Sequence, residues 1–157
     1  MEIERKFIVN VDKLLFNLND YERQKLEQAY ISTDDTEVRI RKIKNNYGEN
    51  KCYMTVKSSG DLKREEIEFE IPYSKYRDLI GNKMYKGTII DKLRYKIPLE
   101  QGIIAELDVY GRALFGLVVV EVEFESVEQS KQFRQPSWFG EEITNDKKYK
   151  NKNLALS

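Results

Sequence analysis

Apolar and charged residues alternate with a period of two along most of this chain, and no other feature constrains the fold as much. Successive side chains of an extended strand point to opposite faces, so a period of two writes a strand with one apolar and one polar face. Ile3, Phe7 and Val9 alternate with Glu2, Glu4 and Lys6, and Val38 and Ile40 alternate with Glu37, Arg39 and Arg41. Cys52, Met54 and Val56 lie between Lys51, Tyr53, Thr55 and Lys57, and Ile67, Phe69 and Ile71 oppose Glu66, Glu68 and Glu70. Ile89, Leu93, Tyr95 and Ile97 oppose Lys92, Arg94 and Lys96; Ala105, Leu107 and Val109 oppose Glu106 and Asp108. Val118, Val120, Val122 and Phe124 alternate with Glu121, Glu123 and Glu125.

Turn signals separate these runs at Asn45-Asn46-Tyr47-Gly48 and Gln101-Gly102. Helical signals are sparser. Ser126 to Gln129 has the capping-box spacing, before a short helix that must stop ahead of Pro136, and Ser74 is placed to cap a helix running toward Gly81. Val11 to Leu18 and the tail from Lys147 onward are two further helical candidates. The expected fold is a mainly β (α+β) antiparallel domain with peripheral helices, and this many strands in one sheet suggest closure into a barrel. With 157 residues and no linker composition, the chain is expected to form one domain over residues 1–157.

Composition removes several function classes. Lys plus Arg and Asp plus Glu both total 27, so the formal net charge is zero, unlike a domain that grips nucleic acid by bulk charge. The chain has no His and a single cysteine, Cys52, which removes Ser-His-Asp and Cys-His catalysis, His-ligated and Cys-cluster zinc, and any intramolecular disulfide. The opening Glu2, Glu4, Arg5 and Lys6 do not form an apolar signal stretch, and the longest apolar run, Leu114 to Val120, is too short to span a bilayer. A soluble protein in the reducing cytoplasm, with no membrane partner, is the expectation. Leu114 to Val120 reads equally as a core strand or as the surface of a homodimer.

The polar faces carry like charges at i and i+2: Glu2/Glu4, Arg39/Arg41, Glu66/Glu68, Lys92/Arg94, Glu106/Asp108 and Glu121/Glu123. A solvated face needs no such sorting. Same-face neighbours on a strand stand roughly 7 Å apart, so paired carboxylates can converge on a cation and paired bases on a polyanion. Acidic and basic pairs in one sheet point to a site for a metal together with a polyphosphate. The chain has no G-x-x-x-x-G-K-[ST] loop and no G-x-G-x-x-G, so side chains rather than a backbone cradle would hold the phosphates.

Glu2-Ile3-Glu4-Arg5-Lys6-Phe7 carries the E-x-E-x-K signature of the CYTH family, also called triphosphate tunnel metalloenzymes, and the remaining segments follow in that family's order. These are Val38-Arg39-Ile40-Arg41, Met54-Thr55-Val56-Lys57, Arg64-Glu65-Glu66-Ile67-Glu68, Asp91-Lys92-Leu93-Arg94-Tyr95, Ala105-Glu106-Leu107-Asp108-Val109 and Val120-Glu121-Val122-Glu123-Phe124. The ending Trp138 to Thr144 with Asp146 to Asn151 resembles the compact bacterial branch typified by inorganic triphosphatases. The resemblance implies an eight-stranded antiparallel β-barrel enclosing a hydrophilic tunnel, with Mg²⁺ or Mn²⁺ as cofactor and a small triphosphate as substrate.

Residue by residue, Glu2, Glu4, Asp108, Glu121 and Glu123 match the family's metal-binding carboxylates. Lys6, Arg39, Arg41, Lys57, Lys92 and Arg94 match its phosphate-binding positions, where Arg gives forked hydrogen bonds and Lys a point charge. Glu66, Glu68 and Glu106 are read as organisers of the bases, and Lys148 and Lys150 resemble basic positions near the C-terminal closure. Lys92 and Tyr30 match a dyad assigned in the triphosphatase branch to activating the attacking water.

The implied activity is metal-dependent hydrolysis of inorganic triphosphate to pyrophosphate and phosphate. The alternatives are a class IV adenylate cyclase, a thiamine or nucleoside triphosphatase, and a module that binds polyphosphate without turnover. Neutral net charge disfavours an extended RNA partner.

Overall fold

The computed structural model describes residues 2–59 and 65–157, so Arg64 of the Arg64-to-Glu68 segment lies outside the described residues. The regular elements are β1 (Ile3–Val9), β2 (Glu22–Thr33), β3 (Glu37–Lys44), β4 (Asn50–Lys57), β5 (Glu66–Ile71), α1 (Tyr73–Gly81), β6 (Lys86–Pro98), β7 (Ile104–Tyr110), β8 (Val118–Phe124), α2 (Val127–Gln132), β9 (Phe139–Glu142) and α3 (Asn151–Leu156). The strands hydrogen-bond in the order β5-β4-β3-β2-β6-β7-β8-β1-β9. The antiparallel sheet with few, short helices is therefore the architecture of the chain. Among the described residues the strands number nine rather than eight. The extra strand is Phe139–Glu142, too short to show an alternation in the sequence.

The chain divides into two compact units, Glu2–Arg23 with Leu93–Asp146, and Gln24–Lys92 with Lys147–Ser157. In the first, β1 pairs antiparallel with β8, and β8 with β7. Phe7, Val9, Ala105, Leu107, Val120, Val122 and Phe124 of these strands, with Tyr95 and Ile97 of β6, bury in one cluster with Trp138 and Phe139. Four aromatic rings meet at this cluster: Phe7 lies 5.0 Å from Phe139, Phe124 lies 5.3 Å from Phe133, and Phe133 lies 5.8 Å from Phe139. Burial of that cluster is the main stabilising term of the unit, at roughly 25 cal/mol per Å² of apolar surface. Strand β9 is held by Arg5, whose Nε and Nη2 donate to Glu142 at 3.0 and 2.7 Å while Nη1 donates to the Ser130 carbonyl at 2.8 Å. Ser126 caps α2 as the spacing predicts, its hydroxyl accepting from the Gln129 N–H at 3.0 Å.

The second unit is built on antiparallel β2, β3, β4 and β5. Its apolar side joins Ala29, Ile40, Cys52 and Tyr76, with Met54, Ile71, Leu79 and Ile89 packed around them. Helix α1 begins at Tyr73 with Pro72 as its first half-turn and takes no side-chain cap, so Ser74 sits inside the helix rather than capping it. Pro fits there because its missing N–H needs no partner. Asn45 closes the β3–β4 hairpin by accepting from the N–H groups of Tyr47 and Glu49 at 2.9 and 3.0 Å. Helix α3 lies on the start of β6, where the Thr88 hydroxyl donates to the Ala155 carbonyl at 3.2 Å. Gly87 makes that approach possible: its φ is +66°, and a Cβ there would stand 2.1 Å from the Ala155 oxygen.

Val11 to Leu18 forms no α-helix; it yields short 3₁₀ turns at Val11–Lys13 and Leu18–Asp20. Of the Leu114 to Val120 run, Val119 and Val120 are buried strand, whereas Phe115 is 87% exposed on a turn. No helix among the described residues is long and apolar enough to cross a membrane.

Candidate active site

The sheet register converts the charged sequence pairs into rows of opposed side chains, one set in each unit. In the unit of β1, β7 and β8, Lys6 opposes Glu121, which in turn opposes Glu106, and Glu4 opposes Glu123. Asp108 stands opposite Val119 and is buried to 4% exposure. Arg94 draws the acids of β7 together: its Nε and Nη2 donate to the two Asp108 oxygens at 2.8 and 3.0 Å, and Nη1 lies 3.3 Å from Glu106. Burial alone would lower the Arg94 pKa, but Asp108, Glu106 and Glu121 raise it above the ordinary guanidinium value, so the group stays charged.

Glu121 is the electrostatic centre of this set. Burial would raise its carboxyl pKa, but a hydrogen bond with Glu4 and the charges of Lys6 and Arg94 hold it below the usual carboxylate range, with Asp108 opposing. Lys6 moves the other way, because burial lowers its pKa more than Glu121, Asp108 and Glu4 restore it. Glu4, Asp108, Glu121, Lys6 and Arg94 therefore form one interacting group. Glu2, Glu4 and Glu123 are exposed, and Glu123 lines a cavity of about 390 Å³ with Glu106, Glu125 and Lys96. A larger cavity of about 710 Å³, lined by Pro98, Leu99, Phe133, Arg134 and Trp138 among others, holds none of the charged-face residues.

Among the described residues, no three Asp, Glu, His or Cys side chains stand as a ready-made metal cage. Mg²⁺ takes one or two carboxylates and completes its shell with waters and substrate phosphates, whereas Ca²⁺ seeks six to eight protein oxygens. The donors here are carboxylates of mixed exposure whose charge is partly offset by Lys6 and Arg94, and such a set suits a hard divalent cation.

In the unit of β2 to β5, the polar face reads in three rows. Tyr30 opposes Arg39, Arg39 opposes Thr55, and Thr55 opposes Glu68. Gln28 opposes Arg41, and Arg41 opposes Tyr53; Glu37 opposes Lys57, and Lys57 opposes Glu66. Arg39 is 9% exposed, and its Nη2 donates to Thr55 Oγ1 at 3.2 Å and lies 3.7 Å from Glu68. The buried Nε of Arg39 has no hydrogen-bond partner, an orphaned charged donor that an anionic oxygen would satisfy. Lys92, the last residue of this unit, is 2% exposed, a rare degree of enclosure for an ammonium group.

Tyr30 is buried beside Arg39 immediately before a break in the β2–β3 register. Burial raises its phenol pKa; Arg39 and Arg41 oppose the shift and Glu37 reinforces it, so the hydroxyl keeps its proton at neutral pH. Glu68 and Glu106 each stand near an arginine, and Glu66, on the same exposed strand β5 as Glu68, stands opposite Lys57. Lys148 and Lys150 are exposed next to α3, with Lys148 Nζ 5.1 Å from the Tyr149 ring centre.

Three buried polar residues on this face were missed by the sequence reading: Gln28, Glu37 and Thr55, at 0%, 6% and 2% exposure. The only signal for them is position. Glu37 and Thr55 share the parity of the charged candidates Arg39 and Lys57, and Gln28 that of Tyr30, where Gln or Thr looks like an ordinary solvated strand residue.

The CYTH domain matches residues 1–155. An inorganic triphosphatase of Nitrosomonas europaea is 40% identical over 99% of this chain and 97% of its own length. One from Acetivibrio thermocellus is 36% identical over 98% and 92%. A crystal structure of an inorganic triphosphatase superposes with a TM-score of 0.72 at 37% identity, covering all of this chain and 95% of that one. The chain belongs to the CYTH family.

Proposed function

We propose that this protein hydrolyses inorganic triphosphate to pyrophosphate and phosphate with a divalent cation, Mg²⁺ or Mn²⁺, residues 1–157 acting as one functional domain. The observation that carries the reading is the buried Arg39 fork with its orphaned Nε, on a chain akin to inorganic triphosphatases over nearly its whole length. Arg39, Arg41, Lys57 and Lys92 would bind phosphate oxygens, two by forked hydrogen bonds and two as point charges. Lys6 and Arg94 belong to the same set; Arg94 is already engaged by Asp108, so it would contact a phosphate only by sharing or exchanging that partner.

Glu4, Asp108 and Glu121 would hold the cation, with Glu2 and Glu123 completing its surroundings through water. The bound ion supplies charge neutralisation of the phosphate oxygens. Phosphoryl transfer asks the protein mainly for positioning and electrostatic stabilisation, so buried cations fixed by Thr55, Glu68 and Gln28 suit the task. Tyr30 keeps its proton and therefore acts as a donor that orients the attacking water, while the enclosed Lys92 is the candidate proton acceptor.

Phosphate release from inorganic triphosphate, ATP and thiamine triphosphate, with Mg²⁺ or Mn²⁺ and with cyclic AMP monitored, tests the reading. Strong preference for inorganic triphosphate is expected. Cyclic AMP from ATP would move attack to the α-phosphorus, and binding without release would leave a module that only holds its ligand.

A further inference from the structure

Gln28 on β2 is wholly buried, and both ends of its amide are used on the charged face. Its Oε1 accepts from Arg41 Nε at 2.9 Å, and its Nε2 donates to the Tyr30 hydroxyl oxygen at 3.3 Å. The direction of this chain follows from the chemistry of its ends. A guanidinium can only donate, so the amide oxygen must face Arg41 and the amide NH₂ must face Tyr30. The Tyr30 oxygen therefore accepts, and its own hydrogen has to be donated elsewhere. From this relay we infer that Gln28 is a positioning residue for the reaction: it orients the Arg41 fork and polarises Tyr30 so that the phenol donates toward substrate or water.

The inference deepens the triphosphatase reading and rests on it. Gln28 itself touches neither reactant. A buried amide costs free energy unless its bonds are made, and an apolar residue would pack at this position without them, so the relay explains why a polar side chain is enclosed here. Burial already holds the Tyr30 proton in place, and Arg39 also hydrogen-bonds the phenol, so Gln28 acts with Arg39 as a donor to the Tyr30 oxygen that directs its proton elsewhere.

Two substitutions separate the two ends. Gln28→Glu keeps an acceptor for Arg41 but turns the other end into an acceptor, so the Tyr30 proton is captured by residue 28 instead of donated onward. Gln28→Leu removes both bonds at similar volume. With inorganic triphosphate and Mg²⁺ at saturation, Gln28→Glu should lower kcat about 100-fold, near the loss caused by Tyr30→Phe, and the double variant should lose no more than Tyr30→Phe alone. Calorimetric titration of triphosphate should show Gln28→Leu binding at least about 10-fold more weakly than wild type, because an Arg41 that has lost its Gln28 acceptor is less well ordered before binding. Thermal melts of each variant check that the fold survives.

A merely structural residue would show multiplying kcat losses in the double variant, and that result overturns the inference, as does a Gln28→Glu kcat within about 3-fold of wild type. Unchanged triphosphate affinity in Gln28→Leu overturns the Arg41 half. If wild-type protein releases no phosphate from any triphosphate, the triphosphatase reading fails together with the Tyr30 half, and the binding comparison alone decides the Arg41 half.

Discussion

Replacing Asp108 by Asn should destabilise the protein while removing a proposed cation ligand, and the structure sets the size of the effect. Arg94 is bound through both Asp108 oxygens at 2.8 and 3.0 Å, and the two side chains are 13% and 5% exposed. Breaking a buried ion pair by removing one charge costs about 3–5 kcal/mol, because the survivor is left desolvated and uncompensated. Arg94 keeps Glu106 at 3.3 Å, a half-exposed second partner, which brings the expected cost down to about 2–3 kcal/mol. For a chain of this size each kcal/mol moves Tm by about 2–4 °C, so a drop of about 5–10 °C is expected at neutral pH with chelator present.

The paired change Arg94→Met with Asp108→Leu removes both desolvated charges together. It should melt above the Asp108→Asn single variant while releasing phosphate from triphosphate no faster, so stability and activity part company. Calorimetric melts of the three proteins, with phosphate release on the same samples, make the comparison. A Tm for Asp108→Asn within about 1 °C of wild type, or a double variant that melts below it, would refute the reasoning that Arg94 depends on Asp108.

Lys92→Ala should cut kcat on triphosphate by at least about 100-fold while the Mg²⁺-induced rise in Tm persists; near-normal turnover removes Lys92 from the proton-accepting role. Wild-type protein should gain about 2.7 kcal/mol of stability at a Mg²⁺ concentration 100 times its Kd, and Glu121→Gln should lose most of that rise in a thermal-shift titration. The Arg5 and Thr144 hydrogen bonds hold Glu142 below its ordinary value of 4.5, so the folded chain binds fewer protons than the unfolded one in that range. Stability from this group is complete above pH 4.5 and lost as pH falls through the depressed value, so Glu142→Gln should flatten that part of the melting profile. Gly87→Ala must displace the Ala155 carbonyl and adopt a positive φ, which should cost about 2–3 kcal/mol and lower Tm by roughly 5–10 °C.

Amino-acid order alone determined which residues share a strand face, because alternation is a local property of extended chain. It separated Lys6, Glu121, Arg39 and Lys92 from their apolar neighbours and, through the motif order, pointed to the CYTH family. It also placed the hairpin at Asn45 and the cap at Ser126, since both are made by residues within four positions of each other.

Which acid meets which base was decided by register between segments far apart in the chain. Thr55 reaches Glu68 and Arg39 across three strands, Arg94 reaches Asp108 across a turn, and Glu121 is bonded to Glu4 from the opposite end of the sequence. The short β9 was hidden for the same reason: its four residues are held by Arg5, 137 positions away from Glu142. Gln28 marks the limit most clearly. As a letter in Glu22–Thr33, a segment without clear alternation, it is indistinguishable from a solvated glutamine, and only tertiary packing, by excluding water, turns its amide into a fixed link between Arg41 and Tyr30.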